Sequence, residues 1–232
     1  MSVHSVSICI PTYEMGGTGL KYLDHSFSKL KEQTINNFEV VISDHSLDDS
    51  IKKLCNSWVD QLNIRYYNFK ENRGNSSANL NNSIKLAEGD IIKILFQDDF
   101  FYDPNSLKNE LNVLLNSNSK WAATSCYHTD DGVKFYRLYH PTYNDNVVYG
   151  DNTISSPSVI MLFKDSFLQF DENLIWLMDC DFYRRMYDNY GVPALGNTPT
   201  VVNRNHPKQI TRLIANQKLR DKEFKYIKEK YE

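Results

Sequence analysis

Two neighbouring carboxylates, Asp98 and Asp99, stand at the end of a short apolar run formed by Ile91, Ile92, Ile94, Leu95 and Phe96. Adjacent like charges repel, and a hard divalent cation is the simplest partner that keeps both ionised. The plainer use of such a pair is to cap the turn before Pro104. Two other polar clusters also follow apolar runs: Pro11-Thr12-Tyr13-Glu14 and Asp44-His45-Ser46. Tyr13 offers a flat face for a nucleobase, Asp44 an acceptor for an imide N–H, and Asp99 a ligand for a cation on a diphosphate. In chain order the three clusters describe a nucleoside-diphosphate site running from base to metal. That site exists only if the three segments lie side by side.

The surrounding pattern supplies such an arrangement. Residues 5–11, 38–43 and 64–67 and the run 91–96 are short and rich in β-branched or aromatic residues, as buried strands are. Between them, apolar residues recur at helical spacing over residues 20–34, from Asp48 and Asp49 to Gln61, and over 77–87, with Gly89 closing the last helix. Alternating strands and helices predict one half of a doubly wound α/β sheet, whose ligands sit at the carboxyl ends of the strands. Gly16, Gly17 and Gly19 read as a flexible loop and lack the spacing of a dinucleotide fingerprint.

Beyond Pro104 the spacing predicts a helix to Asn116, then strands over 121–127 and 133–139 joined by a turn at Asp130-Asp131-Gly132. A strand ends the 154–163 segment, a helix begins near Met178–Asp181, and residues 201–206 form a last strand and loop. The tail from Lys208 to Glu232 reads as a helix with eight basic residues against four acidic ones. A solvated face is the commoner use of such a run, and contact with a membrane surface or a partner is the other.

A chain of 232 residues, 41% hydrophobic and 24% charged, can bury a core as one large domain. A net charge of −3 gives no general pull toward nucleic acid. Cys9, Cys55, Cys126 and Cys180 are scattered without metal-ligand spacing and read as reduced, buried thiols. With a strand expected so near the first residue and no apolar stretch long enough for a bilayer, the reading is a soluble, cytoplasmic protein without a signal peptide.

As an ordered series these motifs resemble the inverting, metal-dependent bacterial glycosyltransferases of family 2, which have the GT-A fold. Val6-Ser7-Ile8-Cys9-Ile10-Pro11-Thr12-Tyr13-Glu14, then Gln33-Thr34 through Phe38 to Asp44, are similar to the first two family motifs. Asn72-Arg73-Gly74 with Ala78, Asn81, Ile84, Ala87 and Gly89-Asp90 is similar to the third. Leu95 to Asp99 with Pro104 resembles the metal motif, and Met178 to Arg185 the acidic helix start. The resemblance covers residues 4–213 and implies a mostly parallel, Rossmann-type sheet flanked by helices with a smaller antiparallel acceptor-side portion. It implies one domain over 1–212, with a donor half (1–104) and an acceptor half (105–212), followed by a basic helix at 213–232.

Carried over position by position, the resemblance implies that Pro11, Thr12, Tyr13, Glu14 and Asp44 hold the base and ribose of a UDP-sugar, with dTDP-sugar next. Arg73 would lie along the nucleotide, Asp98 near the ribose or sugar, and Asp99 on Mn2+ or Mg2+. His206 resembles a late histidine that some members place at the metal or diphosphate, and Asp179 would be the general base. A carboxylate opposite the leaving group can take the acceptor proton, so the anomeric centre inverts. The implied acceptor is a glycan or a lipid-linked glycan, read through residues 130–170 and the tail, and self-association stays open. Phe96, Met178 and Leu80 depart from the usual family residues. Two other readings stand beside this one: an inactive nucleotide-sugar-binding module, and a sugar nucleotidyltransferase. Asp181 is expected to cap the helix or pair with an arginine, His45 to face solvent, and Trp176 to stack on a sugar or fill the core.

Overall fold

The computed structural model describes residues 5–209, 212 and 216–232. Its centre is a sheet in which β1 (Val6–Thr12), β2 (Phe38–Asp44), β3 (Ile64–Asn68) and β4 (Ile91–Ile94) run parallel in the order β3-β2-β1-β4. Every residue of β2 and all but Pro11 of β1 are buried, which is why these strands read as continuous apolar runs rather than alternating ones. The connections are α1 (Thr18–Lys31), α2 (Ser50–Trp58) and α3 (Ser76–Leu86).

Past β4 the sheet turns antiparallel. β5 (Phe100–Phe101) follows the carboxylate pair, and α4 (Ser106–Leu115) leads to β6 (Trp121–Thr129) and β7 (Tyr136–Tyr139). β8 (Ile160–Phe163) then inserts between β4 and β6, antiparallel to both, and α5 (Met178–Tyr190) leads to β9 (Ala194–Arg204). β9 lies parallel to β6 and antiparallel to β5, so the full order is β3-β2-β1-β4-β8-β6-β9-β5, with β7 beside β6. One sheet therefore runs from the first strand of the chain to the last, across the expected boundary at residue 104.

Several local expectations are corrected. Met15–Gly17 is a 3₁₀ turn and α1 begins at Thr18, so the glycines open a helix rather than a flexible loop. Gly19 sits where a Cβ would lie 2.4 Å from the Tyr13 carbonyl oxygen and 2.5 Å from Gln97 Nε2, a close approach that only glycine permits. β9 starts at Ala194, seven residues before the expected strand, because it is the partner along which β6 lies. β5 was not expected: two residues carry no periodicity, and their strand character comes from pairing with Val201 and Val202. In the tail, the described helix is α6 (Gln217–Tyr231), capped by Asn216, which accepts the Leu219 N–H at 3.0 Å. The part of the expected tail helix at residues 210, 211 and 213–215 lies outside the described residues, as do residues 1–4.

The core is continuous across the sheet. Trp121 and Tyr183 are fully buried and stack with centroids 6.2 Å apart, while Phe170 and Phe182 stack at 4.1 Å. These rings fix α5 against β6 and the segment before it. All four cysteines are free and buried, as expected. Among the described residues no helix is long and apolar enough to cross a membrane.

Candidate active site

The carboxyl ends of β1, β2 and β4 do converge. Thr12 Oγ1 donates to Asp44 Oδ1 at 3.1 Å, and the His45 N–H donates to the Thr12 carbonyl at 2.9 Å. Gln97 brackets the backbone of Tyr13, with Oε1 accepting its N–H at 2.7 Å and Nε2 donating to its carbonyl at 3.0 Å. This ring lies where β1 and β4 diverge, after the last register pair Cys9–Ile94. Glu14 continues the turn, its carbonyl accepting from Gly17 and Gly19. Divergence of neighbouring strands is what opens a crevice in a doubly wound sheet.

Asp44 is fully buried and well supplied with donors. Oδ1 accepts from Thr12, from the Ser46 N–H at 3.0 Å and from Ser46 Oγ at 2.6 Å, while Oδ2 accepts from Tyr66 OH at 2.7 Å. Oδ2, with one donor, keeps a lone pair for a further N–H. Arg73 ties the same loop down, donating to the carbonyls of Ser46 at 2.6 Å and His45 at 3.2 Å. The expectation that His45 faces solvent is wrong. Its ring is buried and stacks on Phe69 at 5.2 Å, and burial lowers its pKa.

Asp98 and Asp99 point into different surroundings. His206 Nδ1 accepts the Lys208 N–H at 3.2 Å, which leaves Nε2 to face Asp98 Oδ2 at 2.8 Å. His206 thus meets Asp98 rather than Asp99. Asp99 is buried, with Oδ1 accepting the Arg204 N–H at 2.9 Å and Oδ2 accepting from Ser156 Oγ at 3.2 Å. Burial, and then the charge of Asp98, push its pKa up to about 7. Among the described residues no three acidic, histidine or cysteine side chains form a ready cation cage. The donor chemistry nonetheless suits a hard divalent ion: two carboxylates that hold each other's charge at a cost, with an imidazole beside them. Lys208 Nζ reaches back to the Met15 carbonyl at 2.7 Å, so the segment after β9 lies across the turn after β1.

Asp179, the second residue of α5, joins this cluster through a side-chain network. Its Oδ2 accepts from Asn152 Nδ2 at 2.7 Å, and the same amide donates to the Ser155 carbonyl at 3.0 Å. Ser155 Oγ accepts from Asn203 Nδ2 at 2.9 Å, and Ser156 Oγ lies 3.4 Å from Asn203 Oδ1 and 3.2 Å from Asp99. Asp99 and Asp179 are therefore joined by Ser156, Asn203, Ser155 and Asn152. Ser155 has φ 100°, a conformation that serine adopts only at a cost of about 1–3 kcal/mol. Its carbonyl also accepts from Tyr183 OH at 2.9 Å, and Asn152 Oδ1 takes its N–H at 2.9 Å, so the strained turn is held from several sides. Burial pushes the Asp179 carboxyl up to about 6, against hydrogen bonds from Cys180 and Asn152 that lower it.

Asp181 is held by Arg185 Nε at 2.8 Å, by Lys230 at 2.7 Å and by Tyr231 OH at 2.7 Å, as expected of a structural carboxylate. Trp176 packs edge-on against Phe224 at 5.3 Å and lies under the Arg220 guanidinium at 4.9 Å. Behind the pair, Lys93 in mid-strand β4 meets Glu110 at 2.7 Å with both side chains fully buried. Lys93 also donates to the Ser158 carbonyl, and Ser158 Oγ accepts the Phe96 N–H at 2.9 Å. Sequence reasoning passed over Lys93, Glu110, Asn152, Asn203 and Gln97. Lys93 interrupting a run of isoleucines was the one available signal. A surface cavity of about 730 Å3 between α1 and α2 shares no residue with this network.

Sequence comparison places the chain in a class of sugar-transferring enzymes. The chain belongs to glycosyl transferase family 2, whose family model matches residues 7–188. It is 35% identical over 111 residues to an uncharacterized glycosyltransferase of Rickettsia conorii, and 27% identical over 169 residues to one of Rickettsia felis. These alignments cover 47% and 73% of the chain but only 17% and 27% of those proteins, so the chain spans less than a third of either relative. Among solved structures, residues 1–349 of TarS from S. aureus superpose with a TM-score of 0.68 at 18% identity, over 99% of this chain and 72% of that one. The same protein in complex with UDP-GlcNAc gives 0.65 at 17% identity, over 88% and 59%. A mannosyltransferase from Pyrobaculum calidifontis in complex with GDP-Man and Mn2+ gives 0.58 at 18% identity, over 86% and 56%. The fold is accordingly GT-A-like.

Proposed function

We infer that this chain transfers a sugar from a UDP-sugar to a hydroxyl of a glycan or lipid-linked acceptor, with inversion at the anomeric carbon. The observation that carries the reading is the series of polar contacts from Asp99 through Ser156, Asn203, Ser155 and Asn152 to Asp179, which relates a donor-side carboxylate pair to a base of raised pKa. Tyr13 faces the base, with Pro11, Thr12 and Glu14 shaping its turn, Asp44 Oδ2 accepts the imide N–H, and Arg73 lies along the nucleotide. Asp99 and His206, with Asp98 between them in the network, would hold Mn2+ or Mg2+. Such an ion would supply positive charge against the diphosphate as it departs. Asp179 takes the proton of the acceptor hydroxyl as its oxygen bonds to the anomeric carbon. The bond to the diphosphate breaks on the opposite face, and its electron pair leaves with UDP. A pKa near 6 suits this work, because the carboxylate is ionised at neutral pH yet more basic than an ordinary aspartate. The outward lysines of α6 (Lys218, Lys222, Lys225 and Lys228), interspersed with Asp221, Glu229 and Glu232, are the surface through which a cytoplasmic enzyme would meet an anionic membrane.

The test is calorimetric titration of UDP, dTDP, GDP and CMP, with and without Mn2+, on the wild type and on Asp99→Ala. Metal-dependent binding of UDP that Asp99→Ala abolishes is expected. An absence of metal-dependent nucleotide binding would sink the reading, and a product with retained configuration would sink the mechanism.

A further inference from the structure

We propose that Glu223, on the C-terminal helix, is a positioning residue for Asp179. This rests on the reading of Asp179 as the base. α5 begins without a cap of its own, since the residue at its N-cap is Leu177, whose side chain cannot accept a hydrogen bond. The first amides of a helix have no partner within it, so something else must satisfy them. Glu223, on a different helix, takes the N-cap amide of Leu177 together with the two amides that lead into it. Its Oε1 accepts the N–H of Ile175 at 2.8 Å and of Trp176 at 3.3 Å, and its Oε2 accepts those of Trp176 at 3.0 Å and Leu177 at 2.8 Å.

The carboxylate is 1% exposed, and both of its oxygens accept from backbone N–H groups. A buried carboxylate is an expensive fastener, and it persists when aligned N–H groups and the positive end of a helix stabilise it. What it supplies in return is direction: three consecutive amides are fixed, and the residue two places beyond them is Asp179. Other contacts of α6 grip the same segment from both sides. Tyr226 OH and Lys230 hold Asp171 at 2.8 and 2.7 Å, and Lys230 and Tyr231 hold Asp181 at 2.7 Å each. The helix that the charge pattern marked as a surface element therefore has an inner face, centred on buried Glu223 and Ile227, that clamps residues 171–181. Asn152 aims one oxygen of Asp179, and Glu223 aims its backbone.

The test compares Glu223→Gln, Glu223→Asp, Ile227→Ala and Asp179→Asn by UDP release from UDP-GlcNAc in Mn2+ buffer with water as acceptor, alongside UDP affinity and Tm. A misaimed base costs turnover and leaves donor binding alone, so Glu223→Gln should lower kcat about 10- to 100-fold with KM for the donor unchanged. Glu223→Asp, one methylene short, should fall between, and serves if the Gln variant fails to fold. Ile227→Ala loosens the same helix without touching the amides, and should lower Tm with little loss of kcat. A folded Glu223→Gln or Glu223→Asp with wild-type kcat overturns the proposal, as does an equal kcat loss in Ile227→Ala. Those results leave the base assignment intact provided Asp179→Asn is inactive; an active Asp179→Asn overturns the base assignment itself and this inference with it.

Discussion

Replacing Lys93 with methionine would expose what the centre of the sheet depends on. Lys93 and Glu110 are both fully buried, 2.7 Å apart, and Glu110 Oε2 has no hydrogen-bond partner among the described residues. Burial lowers the pKa of Lys93 and raises that of Glu110, and each charge is maintained chiefly by the other. Removing one partner leaves the other uncompensated, which costs about 3–5 kcal/mol. In a domain of this size that corresponds to a fall in Tm of roughly 6–20 °C. The penalty depends on pH. Without Lys93 the raised Glu110 pKa rises further, so the folded state binds a proton that the unfolded state has released. Stability is then retained at low pH and lost as pH rises through the folded value, making Lys93→Met weaker at pH 8 than at pH 5. The double variant Lys93→Met, Glu110→Gln should regain much of the loss, since Gln keeps an acceptor for Thr200 Oγ1, now 2.7 Å from Glu110. Urea unfolding of the three proteins at both pH values measures this. A single variant within 1 kcal/mol of wild type at pH 8, or a double variant no better than the single, would refute the argument.

Three further outcomes follow from the site. Gly19→Ala drives a Cβ against the backbone oxygens of Tyr13 and Glu14, which cannot yield as a side chain would. It should cost about 1–3 kcal/mol and, by displacing Tyr13, weaken UDP binding in the same calorimetric assay; unchanged affinity would show that the turn is not part of the donor site. A base must be ionised to act, so kcat should climb as pH rises through about 6 and then level off. Asn152→Ala, which removes a hydrogen bond that lowers the Asp179 pKa, should move that limb upward by about one pH unit, and an unmoved limb would disconnect Asp179 from the rate.

The donor half was legible because its signals are local. A buried parallel strand is a run of branched residues, and the polar groups that end it follow in sequence, so β1, β2 and β4 and their termini could be read directly. The acceptor half was less so. β5 is strand only because Val201 and Val202 lie beside it, and the first half of β9 (Ala194 to Thr200) has little apolar pattern because much of it is exposed. The residues that join Asp99 to Asp179 come from two separated segments, 152–156 and the end of β9, and are serine and asparagine, types common in any loop. Nothing in the chain marks Asn152 apart from its neighbours until Asp179 is placed against it. The tail shows the same limit from the other side. Its charges were visible, whereas the burial of Glu223 depends on three amides some 46 to 48 positions away.

The bracket that Gln97 forms around Tyr13 has a bearing on donor choice. Below it, backbone pairing keeps β1 and β4 at ladder distance, and the last register pair of the two strands is Cys9–Ile94. One side-chain amide takes over as the last rung, meeting an N–H and a C=O as a neighbouring peptide would. The mouth of the crevice is thereby given a gauge, set by the length of a glutamine and not by the mobility of two loops. In the donor site proposed above, the amide fixes the aromatic face of Tyr13 relative to the carboxylates after Gln97, so a nucleotide that fits the base end would already be in register at its phosphates.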